Sequence, residues 1–106
     1  MGASESFEAP CQERPTATLF YVAFGADLTW QTFARLAAAS GGGGPVRHVL
    51  VDAVRHPDTV LEQGITTFPT LVCTANDTRV TYTNPGTILY DLEQWSAATK
   101  KSSQDC

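Results

Sequence analysis

Cysteine is scarce in this chain of 106 residues: Cys11, Cys73 and Cys106 are the only three, and they stand far apart. They are too few and too scattered for the disulfide framework of a miniprotein. Long apolar runs are missing too; none approaches the roughly 18 residues that carry a chain across a bilayer. Basic residues are outnumbered, with 7 Lys and Arg against 11 Asp and Glu and a net charge of −4. That balance argues against a nucleic-acid surface or an anionic membrane as partner. The residues before position 16 are polar and acidic (Glu5, Glu8, Glu13), which reads against a secretory signal. His48 and His56 have no Cys or His at ligand spacing, so no metal is expected, and strand-end and capping roles suit them better. Gly41–Gly44 is not followed by Gly-Lys-Ser/Thr, so it reads as a linker and not as a phosphate loop.

What is present suits one packed domain: apolar residues make up 42%. Residues 1–15 lack periodicity and read as a flexible arm, with a short turn of helix at Glu5–Glu8. Thr18–Phe24 is a continuous aromatic and branched run, which predicts a strand buried on both faces. A helix is expected over Leu28–Ala39, because Trp30, Phe33, Ala34 and Ala37 share one face. Asp27 or Thr29 can cap its start, and Ser40 with the glycines after it ends it. His48–Val51 predicts a second buried strand closed by Asp52. A short helix fits Pro57–Gln63, with Pro57 at its first position, Asp58 at its positive end and Gly64 at its C-terminal cap. Thr70–Thr74 and Arg79–Thr83 form a hairpin about Asn76-Asp77. A last helix covers Thr87–Thr99, with Ile88, Leu92 and Trp95 on one face and Lys100 and Lys101 at its negative end. The domain then spans 16–101, with a tail at 102–106. The order is β-α-β-α-β-β-α. Its first two strands should be parallel through a right-handed crossover and its last two antiparallel, giving a mixed sheet with helices on both faces, an α/β class.

Val49–Val72 carries the most specific pattern: a strand, Asp52, a short helix opened by Pro57, Gly64-Ile65, then Pro69-Thr70-Leu71 opening the next strand. In this the chain resembles the thioredoxin-like fold family, and its three-layer α/β/α architecture is the one implied. Tyr82 to Trp95, with Pro85 and Thr87, looks more like non-catalytic domains of protein disulfide isomerases. The resemblance covers about residues 17–99 and implies a cis peptide bond between Phe68 and Pro69. The backbone before that proline would then pair with a bound peptide by strand addition.

The same resemblance exposes what has gone. Thioredoxins carry Cys-x-x-Cys at the start of the first crossover helix, where the helix N-terminus stabilises the attacking thiolate and a second cysteine resolves the mixed disulfide. Here the corresponding positions are Ala26-Asp27-Leu28-Thr29, with Ala26 in place of the nucleophile and Thr29 in place of the resolving thiol. Asp27 would disfavour a neighbouring thiolate, and the buried acid that assists proton transfer in the family maps to Phe20. Dithiol–disulfide catalysis by this segment is therefore not expected, nor is any cofactor. Cys73 reads as a small buried apolar residue. Cys11 and Cys106 read as exposed thiols, with a bridge between them or to another chain as the alternative. An odd cysteine count leans towards a reducing intracellular compartment; the endoplasmic reticulum lumen stays open if the domain belongs to a longer chain. Asn76-Asp77-Thr78 has the form of a glycosylation sequon, although hairpin-turn chemistry explains it. The expected function is a redox-inactive domain that binds a protein or peptide near the cis-proline loop. The contact candidates are Phe24, Trp30, Thr67, Phe68 and Pro69, with the segment Gly25–Trp30. The alternatives are a structural or adaptor subunit with its interface anywhere on the domain, the arm Met1–Pro15 included, and a thiol–disulfide oxidoreductase using a non-motif cysteine.

Overall fold

The structure, a computed structural model, describes residues 14–40 and 44–103. The turn expected at Glu5–Glu8, the arm before Arg14, Cys11 and Cys106 lie outside the described residues.

Four strands make one mixed sheet: β1 (Thr16–Tyr21), β2 (Arg47–Asp52), β3 (Thr70–Ala75) and β4 (Thr78–Tyr82), in the order β2-β1-β3-β4. β1 runs parallel to β2, with Leu19 beside Leu50, and antiparallel to β3, with Leu19 beside Leu71. β3 and β4 form the expected hairpin. Its two-residue turn needs a left-handed residue, and Asn76 takes φ 56° there. Among the described residues there are three helices: α1 (Thr29–Ser40), α2 (Pro57–Gln63) and α3 (Ile88–Ser103).

Alternation along the strands divides the core in two. On one face Ala17, Leu19, Leu71 and Cys73 meet Phe33 of α1 and Ile88 and Leu92 of α3. On the other, Phe20 and Val72 meet Ile65, with Val51 and Val60 of α2 at the margin. The layers are helix, sheet, helix, as the order of elements implies.

Several boundaries differ from the sequence reading. The first strand is Thr16–Tyr21, not Thr18–Phe24, and Phe24 is 80% exposed. Its partner strand stops at Asp52, whose carbonyl oxygen accepts from the Arg55 and His56 amides in a turn, so Val22–Phe24 have nothing to pair with. β4 opens at Thr78 and closes at Tyr82, one residue earlier at each end. α3 continues to Ser103, past the boundaries read at Thr99 and residue 101. Neither Gly nor Pro interrupts Thr99–Ser103, and no residue there supplies a stop. α2 keeps its expected ends. Pro57 opens it, and Gly64 at φ 72° closes it, with the Ile65 amide donating to the Val60 carbonyl. His56 occupies the N-cap position, but its side chain makes no capping bond.

Candidate functional site

The segment between β1 and α1 faces the loop that leads into β3. Val22–Leu28 turns away from the sheet, and the Asp27 carboxylate starts the helix. One of its oxygens accepts from the Thr29 amide at 3.2 Å and the other from the Thr29 hydroxyl at 2.8 Å. Asp27 is thus the capping group of the two candidates. Its bonds begin α1 at Thr29, so only the last residue of Ala26-Asp27-Leu28-Thr29 is helical, and the other three form the approach to the helix mouth.

Across from it, the Phe68–Pro69 peptide bond is cis. Thr70, the first residue of β3, is 3% exposed; its hydroxyl donates to the Thr67 carbonyl at 2.6 Å. That bond ties the loop to the strand and leaves no unpaired hydroxyl in the core.

Between the two segments lies a cleft of about 140 Å³ lined by Tyr21, Val22, Gly25, Ala26, Asp27, Phe68 and Pro69. Of the five contact candidates, Phe68 and Pro69 reach it. Phe24, Trp30 and Thr67 do not line it, so the expected cluster of Phe24, Trp30 and Phe68 is not assembled around this cleft. Trp30 turns inward instead. Its ring stacks on Tyr21 at 5.1 Å between centroids, against the first-face core. Its Nε1 is buried without a hydrogen-bond partner. Helical spacing places Trp30 on the apolar stripe of α1, and its packing against the first-face core agrees with that spacing. Tyr21 and Val22 were missed as lining residues. The signal available was their place at the carboxyl end of a strand, where open α/β sheets hold their crevices.

The cleft can grip a small apolar group, and Asp27 is its only charged lining residue. No sulfur lines it. Cys73, the cysteine among the described residues, is fully buried in the first-face core. Burial, and then the Asp91 charge, push its thiol up to about 12 from an ordinary 9.0. Phe20 is also buried, in the opposite cluster. Among the described residues no group of three His, Cys, Asp or Glu could hold a metal ion, and no helix is long and apolar enough to cross a membrane.

No protein-family model and no curated protein matches the chain. Solved structures do. A thioredoxin of Malassezia sympodialis superimposes with a TM-score of 0.62 and 18% identity, covering 84% of this chain and 83% of that one. The germline-specific thioredoxin Deadhead of Drosophila melanogaster gives 0.60 and 13%, covering 82% and 85%. Mitochondrial thioredoxin 3 of Saccharomyces cerevisiae gives 0.58 and 21%, covering 82% and 84%. The chain has a thioredoxin-like fold.

Proposed function

We propose that this is a thioredoxin-like domain that binds a protein or peptide at the cis-proline cleft and carries out no dithiol–disulfide exchange there. One observation supports this above others: the cleft between the α1 approach and the cis-proline loop is open, but its lining includes Ala26 and no cysteine, and exchange chemistry needs an accessible sulfur. The surrounding surface suits a partner. Phe24 is 80% exposed, Leu28 54% and Phe68 36%, and all three sit on the segments that frame the cleft. A bound segment would add to the backbone before Pro69 and place one side chain in the cleft.

The test is a nuclear magnetic resonance titration with an unfolded polypeptide whose thiols have been carboxymethylated. Amide shifts at Gly25, Ala26 and Phe68, weakened by Phe68→Ala in a variant of unchanged melting temperature, support the reading. Shifts confined to residues 1–15 favour the adaptor reading instead. A rate of insulin reduction with dithiothreitol that disappears on replacing one cysteine would establish the oxidoreductase reading.

A further inference from the structure

α1 and α3 cover one face of the sheet, whereas among the described residues the opposite face has only α2. The seven residues of α2 make about 10 Å of helix, and its cover ends at Phe20, Val51 and Val72. Beyond them the strand register lays out two rows, since residues paired across strands share a face. Arg47, Thr16, Thr74 and Arg79 are successive partners and run from one edge of the sheet to the other. Val49, Thr18, Val72 and Thr81 form the next row, on the side of α2. Thr16, Thr18 and Thr74 are only half-buried, although β1 and β3 are the inner strands and their other-face residues Ala17, Leu19 and Cys73 are fully buried. Arg47 and Arg79 stand exposed at the two ends, and neither row contains a carboxylate. The Arg79 guanidinium donates to the Gln63 carbonyl at 3.1 Å, which holds it on the α2 side.

We propose that residues 1–13 of this chain fold back over the two rows, with their carboxylates between Arg47 and Arg79 and Phe7 against Val49 and Thr18. Charge selects an acidic cover, and the segment holds Glu5, Glu8 and Glu13 with no Lys or Arg. The point of attachment suits it. Thr16 is itself in the first row, and the Pro15 carbonyl accepts from the Arg47 amide at 2.8 Å, so the segment joins the sheet beside Arg47. Arg47 and Arg79 are about 14 Å apart across three strand spacings, which about five extended residues cover, so the segment reaches the far arginine. Threonine in place of large aliphatic side chains suits a polar cover. A second copy seated on the same rows would instead set arginine against arginine. Attachment to the domain gives the segment an effective concentration on the order of millimolar, so weak exposed ion pairs suffice and a free acidic peptide competes poorly. Neither row contains a residue of the cis-proline cleft, so the segment covers a surface that peptide binding there leaves free.

The test is paramagnetic relaxation in the full chain, with a nitroxide on Ala3→Cys and with Cys11→Ser and Cys106→Ser removing the competing thiols. The Thr74, Arg79 and Thr81 amides should broaden more than those of Leu36 and Leu89, which lie on the other face. Glu5→Gln, Glu8→Gln and Glu13→Gln together, which alter no residue of the sheet, should remove that difference, and added salt should weaken it. Arg47→Glu with Arg79→Glu should remove it as well, and Glu5→Arg with Glu8→Arg in that variant should restore it. Equal broadening on both faces, or broadening that survives the three glutamine substitutions, overturns the proposal. So does broadening of an isotope-labelled copy by a separate spin-labelled one, which would make the cover a second molecule. Failure of the reversed charges to restore the difference overturns the pairing with the two arginines.

Discussion

The mouth of α1 and the middle of β3 each hold half of what thiol chemistry requires. At the helix mouth Ala26 and Leu28 are exposed and the cis-proline loop stands opposite, but there is no sulfur. In β3 there is a sulfur, but Cys73 is fully buried between Ala17 and Val80 of the neighbouring strands, and its thiol holds its proton up to about pH 12. Reactivity needs a thiolate that a partner can reach. The comparison teaches that a cysteine count says little about redox function until each cysteine is placed. It also separates two kinds of cost: side chains around Cys73 hold the fold, while those at the helix mouth are available to a partner.

The largest test breaks the buried half. Phe33→Ala removes the α1 ring that covers the first-face core and should cost about 3–5 kcal/mol in urea unfolding. With Cys11 and Cys106 replaced by serine, the same change should let a thiol reagent reach Cys73 in the native protein.

A smaller effect follows from the raised Cys73 pKa. In the unfolded chain the thiol titrates near its ordinary 9.0, in the folded chain near 12. A group whose folded pKa is raised contributes stability that is complete below the lower value and lost as pH rises towards the higher. The loss is about 1.4 kcal/mol per pH unit within that window, or about 2 kcal/mol by pH 10.5. Urea midpoints measured from pH 8 to 10.5 should fall more steeply for the wild type than for Cys73→Ala. Equal slopes would mean that the thiol is accessible after all.

At the helix mouth the effects shrink. Asp27→Ala removes the carboxylate that receives the Thr29 amide and hydroxyl, and should cost about 1 kcal/mol while leaving Cys73 unreactive. Phe24→Ala should stay within about 0.5 kcal/mol, because its ring is already in water. A stability loss above 2 kcal/mol there would show that Phe24 belongs to the fold and not to a contact surface.

Much of the fold was legible. Pro57, Asp58 and Gly64 marked both ends of α2 because proline and glycine act through the local backbone. Asn76-Asp77 marked the hairpin for the same reason. Strand ends were less legible: Val22–Phe24 are as apolar as Thr18–Tyr21, and what stops β1 is the turn after Asp52, supplied by a distant segment. The candidate site divided along that line. The place of Phe68 and Pro69 in the loop before β3 follows from a pattern local to the chain, whereas whether Trp30 faces core or cleft rests on Tyr21 packing beside it. A groove of about 780 Å³ between α1 and α3 gave no signal, since its walls come from both helices, β2 and the loop before β2.

By itself, the amino-acid sequence determined the order of elements, the absence of cysteine from Ala26–Thr29 and the apolar character of the strands. These rest on residue identity and on periodicities of a few residues, which neighbours along the chain are enough to set. Tertiary structure decided which aromatic rings are buried, how far Cys73 is shielded, and where the two concavities lie. Those properties depend on what other elements bring against a side chain, and packing between distant segments has no counterpart in local spacing.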